Sequence, residues 1–190
     1  KVAPAYGLPK VAIATVTFVG DYSKSPQHDK TMPTMYLTNR NTDYTQSKAQ
    51  AWRWVVNGVP EVIARRQYKS FGRYMKTSTR TIIAPGTISA LAHELSEMMV
   101  SPLLDNFTMP DSAGKSWRKE VCDPVLGSYF MEVINGEKCI FPDFVLPSFW
   151  DANGEAPYSY MGSTVGPMVW RKGTYAWFRS VIVRLLRVQF

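Results

Sequence analysis

The chain has 190 residues, which suits one domain with a sizeable core. Its 45% hydrophobic and 13% aromatic content is typical of a folded globular protein, and no apolar stretch approaches the ~20 residues of a membrane span. The net charge is +7, but Lys and Arg are not concentrated in runs, so we prefer an ordinary basic surface to a nucleic-acid footprint.

The first third of the sequence predicts an arm, two strands and two helices. The helices are inferred from apolar residues at helical spacing, and the strands from apolar alternation. In order, the predicted elements are an arm at 1–10, a strand at 11–19, a polar loop at 20–34, a short strand at 35–38 and helices at 46–56 and 60–68. Residues 11–190 are predicted to form a single domain.

A strand at 79–84 is predicted to lead into a well-delimited helix. Pro85-Gly86 breaks the chain, and Thr87 is a plausible N-cap. Ser101-Pro102 ends the segment. The apolar residues between these signals recur at helical spacing and are Ile88, Leu91, Leu95, Met98 and Met99.

This helix carries the most informative stretch of the chain, His93-Glu94-Leu95-Ser96-Glu97. Positions four apart share one helix face, so His93 and Glu97 could grip one divalent metal while Glu94 activates a water molecule. The layout is that of the zinc metalloprotease motif H-E-x-x-H, with glutamate in place of the second histidine. The alternative is a surface helix with solvated glutamates and an incidental His93.

An acidic segment and a hairpin follow. Glu120, Cys122 and Asp123 lie within residues 119–124, and a strand at 129–135 ends in an Asn135-Gly136 turn. Two cysteines demand no disulfide framework. We expect Cys122 and Cys139 to be buried free thiols, in preference to a bridge across the hairpin or to Cys122 as a soft metal ligand.

These motifs, with the Phe144-Val145-Leu146-Pro147 run after them, resemble uncharacterised bacterial and phage-type proteins over about residues 82–151. Those proteins share a His-Glu-x-x-Glu helix, a Glu-x-Cys-Asp segment, an Asn-Gly or Asp-Gly hairpin and a Phe-Val-x-Pro run. The chain is similar, more distantly, to the plant Exordium-type extracellular proteins. The resemblance implies a zincin-like metallopeptidase fold.

The resemblance also implies roles for individual residues. His93 and Glu97 match the metal-binding pair, Glu94 matches the general base, and Glu120 and Asp123 match the downstream acidic pair. A catalytic zinc needs one more protein ligand. We favour Asp123 over Glu120, because residues three apart in an extended segment point to opposite faces.

The metal and the remaining parts of a site stay more open. One imidazole and two carboxylates suit zinc, but oxygen-rich sites also suit calcium or manganese. Where relatives tend to have Asp-Pro at the helix end, this chain has Ser101-Pro102. The candidates for a transition-state stabiliser, chosen by residue type alone, are Tyr129, Tyr158, Tyr160 and Arg118.

The C-terminal part predicts an irregular segment at 149–166 and a basic amphipathic helix. Trp177, Phe178 and Val181 lie on its apolar face, and packing on its own domain is preferred over a membrane or partner surface. No secretory signal peptide is visible in the sequence. His28 is expected to lie in a loop.

The sequence thus predicts an α+β, zincin-like single domain with a small mixed sheet, a metal-motif helix and a C-terminal amphipathic helix. The leading function is a metal-dependent hydrolase acting on a peptide or protein substrate. The rival is a non-catalytic structural or binding protein that contacts neighbouring subunits in a virion or at a cell surface. A virion-associated or extracellular location is favoured over a cytoplasmic one, and nucleic acid is the least favoured partner.

Overall fold

A computed structural model of the chain describes residues 1–8, 15–19, 33–38, 51–65, 73–76, 81–104, 106–108, 116–168, 170–171 and 174–175. The helices are α1 (Val2–Ala5) and α2 (Thr87–Val100). The strands are β1 (Thr15–Val19), β2 (Thr34–Thr38), β3 (Ala51–Val56), β4 (Val59–Arg65), β5 (Arg73–Lys76), β6 (Thr81–Ala84), β7 (Asn106–Thr108), β8 (Ser116–Arg118), β9 (Tyr129–Ile134), β10 (Glu137–Pro142), β11 (Trp170–Arg171) and β12 (Thr174–Tyr175). The architecture is therefore α+β, as predicted.

The largest sheet has four strands in the order β1-β2-β4-β3. β1, β2 and β4 run parallel, and β3 pairs antiparallel with β4. One face, carrying Met35, Val62 and Ala64, packs against α2, while Tyr36 and Ile63 pack on the other face with two tryptophans. This alternation of neighbouring residues between two faces is the period-2 pattern of a strand.

The helices predicted at 46–56 and 60–68 are wrong where the structure describes them, because residues 51–56 and 59–65 form β3 and β4. Asn57 and Gly58 join these strands with φ values of 52° and 81°. An Asn-Gly pair with positive φ at both positions is the preferred two-residue hairpin turn. The β-branched residues on either side then favour strands over a helix.

The strands predicted around 11–19, 35–38 and 79–84 are confirmed where they are described, as β1, β2 and β6. The Asn135-Gly136 hairpin is also confirmed: it joins β9 and β10, with φ values of 51° and 83°. The predicted polar loop at 20–34, His28 and the predicted C-terminal helix lie outside the described residues, apart from the end of the loop.

The motif helix α2 matches its predicted range, with one correction at its start. Gly86, not Thr87, is the N-cap. The Ser89 hydroxyl accepts the Gly86 backbone N–H at 3.2 Å and donates to the Ile140 carbonyl of β10 at 2.6 Å. The side chain of Ser89 therefore anchors the first turn of α2 to the hairpin. Thr87 is buried in the same turn and does not cap the helix.

A second core lies between the N-terminus and residues 121–168. Its members are Val2, Val121, Cys122, Val125, Phe144, Val145, Phe149 and Met168. The segment predicted as an arm contributes Val2 to this core, and Tyr6 donates to the Val145 carbonyl at 2.8 Å. The division into an arm and one domain stays a prediction.

The segment from Glu120 to Asp123 was predicted to be extended, but its second half is not. Asp123–Val125 is a 3₁₀ turn, with Pro124 at its second position. Proline fixes φ and favours the start of such a turn, so the chain bends directly after Cys122. Residues 151–166 are irregular as predicted, with a single bridge between Ser159 and Val145. Among the described residues, no helix has the length and apolar character to cross a membrane.

We expect Gly58→Ala to lower the free energy of unfolding by about 1–2 kcal/mol, because an alanine is forced into left-handed backbone at this turn. Urea denaturation measures the change. Gly166→Ala is the control, since its added Cβ meets open space and its φ is not positive. Equal losses in the two variants would contradict the β3–β4 turn.

Candidate metal centre

Three parts of the fold meet at the candidate site. α2 supplies His93, Glu94 and Glu97 from consecutive turns. The segment after β8 supplies Glu120, Cys122 and Asp123, and the edge strand β3 supplies Arg53. The spacing of the helix residues was readable from the sequence, whereas the arrival of the other two parts depends on tertiary structure.

The imidazole of His93 lies between two carboxylates. Its Nε2 is 3.2 Å from Oε1 of Glu97 and 3.1 Å from Oδ1 of Asp123. Burial alone lowers the pKa of His93, but the hydrogen bonds to Asp123 and Glu97 outweigh it and raise the pKa well above its ordinary value. With no metal bound, a proton on Nε2 therefore holds the two acidic side chains together.

Glu97 is buried and accepts contacts at both carboxylate oxygens. Oε1 faces His93 and accepts the backbone N–H of Cys122 at 3.4 Å, while Oε2 lies 3.4 Å from Nε of Arg53. Burial raises the pKa of Glu97 to about 7, although the neighbouring His93 opposes that rise. The carboxylate is thus oriented by three different parts of the chain.

Arg53 is a residue of the site that the sequence interpretation missed. Its buried guanidinium donates to the Ser101 carbonyl at 2.6 Å, and through Nε and Nη2 to Oε2 of Glu120 at 3.1 and 2.5 Å. The signal was present, because an arginine on the inward face of an otherwise apolar strand requires an acidic partner. The wrong helix prediction at 46–56 hid it.

Glu120 and Asp123 differ in position, although both were predicted as candidate metal ligands. Glu120 is bound by Arg53. Asp123 reaches His93 directly, and its side chain is 45% exposed at the edge of the site. They occupy different places because Glu120 precedes the bend of the chain and Asp123 opens the 3₁₀ turn.

The side chain of Cys122 joins the pair on α2 in a group that could hold a metal ion. The ligand atoms of His93, Glu97 and Cys122 all lie within 4.8 Å of one another. Zinc bonds of standard length in tetrahedral geometry separate neighbouring nitrogen, oxygen and sulfur ligands by about 3.3–3.6 Å. The group could therefore hold a metal ion after small side-chain adjustments. Cys122 and Cys139 are both free and buried, as predicted.

Glu94 faces a cavity of about 360 Å³. His93, Cys122, Asp123 and Tyr129 also line this cavity. Burial, followed by the charge of Glu97, raises the pKa of Glu94 to about 7. Within the described part of the chain, no ion pair to the Glu94 carboxylate is found. A carboxylate with this pKa can accept and return a proton near neutral pH.

Three of the four candidates for a transition-state stabiliser lie away from the cavity. Tyr158 donates to the Gly154 carbonyl, Tyr160 stacks on Phe144, and Arg118 is exposed on β8. Tyr129 alone among the four candidates lines the cavity with Glu94. Burial raises the pKa of Tyr129, so its hydroxyl keeps its proton and remains a hydrogen-bond donor.

Fold and site together define an α+β protein with a candidate metal-binding group beside a cavity. Compared with known proteins, the chain matches no family model, no curated protein and no solved structure. The zincin-like and Exordium-type resemblance stays a prediction.

Replacing Arg53 by leucine is expected to lower the free energy of unfolding by about 3–5 kcal/mol at neutral pH, because the buried Glu97 then loses the guanidinium at its Oε2 and Glu120 loses its cation. Chemical denaturation measures the loss. Arg118→Leu is the control, since the exposed Arg118 should change stability by no more than about 0.5 kcal/mol. A loss below about 1 kcal/mol for Arg53→Leu would argue against a structural role for this ion pair.

The metal-free protein is expected to lose stability as pH rises from about 5 to about 8. The pKa values of His93, Glu94 and Glu97 are all raised on folding, so each group binds its proton more tightly in the folded state. Their stabilising effect is complete below the unfolded pKa values and disappears as pH passes the folded ones.

Thermal unfolding in the presence of a chelator, measured across this pH range, tests the effect. Glu94→Gln should flatten the profile, because one of the three proton-binding groups is removed. Stability that instead rises with pH over the same range would contradict the assigned directions.

Proposed function

We propose that this chain is a metal-dependent hydrolase on a zincin-like fold, with peptidases as the leading class. The observation that carries the proposal is a coincidence of two features. A three-residue group able to hold a metal ion lies at the wall of the same cavity that Glu94 faces. A metal site and a proton acceptor that share one cavity are what hydrolysis of a carbonyl substrate requires.

The layout of the fold supports the zincin-like assignment. α2, which carries the His-Glu-x-x-Glu motif, packs against β4 and the antiparallel edge strand β3 on one side. On another side it packs against β10 of the hairpin that follows the acidic segment. The hairpin that follows the acidic segment in the resemblance thus packs directly against the helix that carries the His-Glu-x-x-Glu motif.

His93 and Glu97, with one ligand from the segment after β8, would hold the ion. A divalent metal there supplies Lewis-acid polarisation of the substrate carbonyl and lowers the pKa of water. Glu94 accepts the proton of the attacking water and passes it to the leaving amine, for which its pKa of about 7 is well matched. Tyr129 donates a hydrogen bond to the oxygen that becomes negatively charged.

The cavity is of a size suited to a peptide side chain or a small group. Its volume of about 360 Å³ lies at the lower end of ligand-binding cavities. Leu126, Pro85 and Pro142 give it apolar surface beside the acidic group. We infer that the cavity receives an apolar part of the substrate next to the bond that is hydrolysed.

A non-catalytic structural or binding protein is the second candidate, and one observation favours it. Glu97 already pairs with Arg53 and with His93, so the acidic helix face is neutralised without a metal. In that case the group is a buried polar network that fixes the packing of α2 on β3. Such a protein would contact neighbouring subunits of a virion or cell-surface assembly.

Glu94→Gln is expected to reduce hydrolysis of a fluorogenic peptide library by about 10²–10⁴-fold, because the general base is lost while the metal ligands remain. Elemental mass spectrometry should show the same zinc content in the variant and the wild type. Glu137→Gln, an exposed change at the hairpin, is the matched control. Activity that survives in Glu94→Gln would rule out this mechanism, and a wild type without metal would favour the structural role.

A further inference from the structure

The segment after β8 offers three possible third ligands, and the contacts of Glu120 set it apart. Oε2 of Glu120 accepts from both Nε and Nη2 of Arg53. Moving this carboxylate to a metal beside His93 would leave the buried guanidinium with fewer acidic partners, which is costly in a water-poor environment. Glu120 is therefore the ion-pair partner of Arg53, and the third metal ligand is either Cys122 or Asp123.

Cys122 is held inside the site by its backbone. Its N–H donates to Oε1 of Glu97, the oxygen that also faces Nε2 of His93. Its sulfur belongs to the group whose ligand atoms lie within 4.8 Å of one another, and the residue is only 1% exposed. Asp123 is the next residue, but its side chain is 45% exposed and its described contact is to His93 alone.

Cys122 and Asp123 thus approach His93 from different sides of the site. Cys122 approaches from the core and is fixed by the packing of Val121 and Val125 beside it. Asp123 approaches from the more exposed side, and its Oδ1 lies 3.1 Å from Nε2 of His93. A ligand held by packing keeps its geometry better than one on an exposed side chain.

We propose that the third protein ligand is the sulfur of Cys122, so that His93, Glu97 and Cys122 present one nitrogen, one oxygen and one sulfur to the ion. This inference rests on the proposed metal-dependent function and narrows it. Thiolate ligands select borderline-soft ions such as zinc or cobalt and disfavour calcium and magnesium. The thiol proton is released to solvent when the sulfur–metal bond forms.

Without a metal, burial and the charge of Glu97 raise the pKa of the Cys122 thiol well above its ordinary value, so the sulfur keeps its proton until an ion binds. A thiolate and the Glu97 carboxylate together neutralise a divalent ion, and Glu120 remains to neutralise Arg53. Asp123 then gives up its hydrogen bond to Nε2 of His93, the nitrogen that binds the ion, and lies with Glu94 among the residues that line the cavity. With three protein ligands, a four-coordinate ion would have one position left for water or substrate, and His93 and Cys122 both line the cavity.

Titration of the metal-free protein with Co²⁺ tests the proposal through absorption spectra rather than activity. A cobalt–thiolate bond gives a near-ultraviolet charge-transfer band in addition to the visible bands of bound cobalt. We expect the band in the wild type, in Asp123→Asn and in Cys139→Ser, and its loss in Cys122→Ser. Cys139 is the matched control because it is the other buried free thiol and lies on β10, outside the metal-binding group.

The outcomes distinguish failure of the sulfur-ligand proposal from failure of the hydrolase proposal. Visible cobalt bands without the charge-transfer band in the wild type would overturn the sulfur ligand but leave the hydrolase proposal intact. A band that disappears in Cys139→Ser instead would also overturn it. A wild type that binds no cobalt would overturn both proposals.

A second measurement avoids the risk that Cys122→Ser fails to fold, since Cys122 belongs to the core. X-ray absorption at the zinc edge of the loaded wild-type protein reports the atoms bonded to the metal. One sulfur at about 2.3 Å together with nitrogen or oxygen at about 2.0–2.2 Å is the expected result. A shell of nitrogen and oxygen alone would overturn the proposal.

Discussion

The burial of the Glu97 carboxylate is the constraint on which the surrounding structure depends. A carboxylate removed from water requires donors and opposite charges close by, and here they come from its own helix and from two distant parts of the sequence. Arg53 supplies a cation from β3, His93 an imidazole from α2 itself, and Cys122 a backbone N–H from the segment after β8. Meeting the needs of one carboxylate thus fixes how these three parts pack together.

Arg53 extends this constraint beyond the site. Its guanidinium also binds the Ser101 carbonyl just after the end of α2 and the carboxylate of Glu120. The edge strand, the end of the helix and the acidic segment therefore share one charged group. The contact at position 101 is made by the backbone carbonyl, so it does not depend on the side chain of Ser101.

The sequence predicted those features that local signals determine. The range of α2 followed from Pro85-Gly86, the apolar spacing and Ser101-Pro102, and the hairpin followed from Asn135-Gly136. The β3–β4 hairpin was missed because Trp52 and Val55 match helical spacing by chance, whereas the turn signal Asn57-Gly58 was not considered. A turn with two positive φ values is the more restrictive signal, and it decides the local structure.

The part of the candidate site that lies on one helix was predictable from the sequence, and the rest was not. His93, Glu94 and Glu97 follow from helix periodicity alone. The closeness of Cys122 does not, because it depends on the path of a segment with no regular structure, which is set by Pro124 and by the hydrogen bond to Glu97. Sequence spacing locates ligands within one element, whereas ligands from another element are located by the packing that joins them.

The hydroxyl of Ser89 links the first turn of α2 to β10 through the Ile140 carbonyl. α2 carries His93 and Glu94, and the hairpin contributes Tyr129 and Pro142, so this hydrogen bond joins two of the elements that line the cavity. The first turn of α2 and β10 cannot separate without breaking this buried hydrogen bond. A ligand of this cavity would therefore bind between elements that are already joined, which lowers the free-energy cost of ordering them.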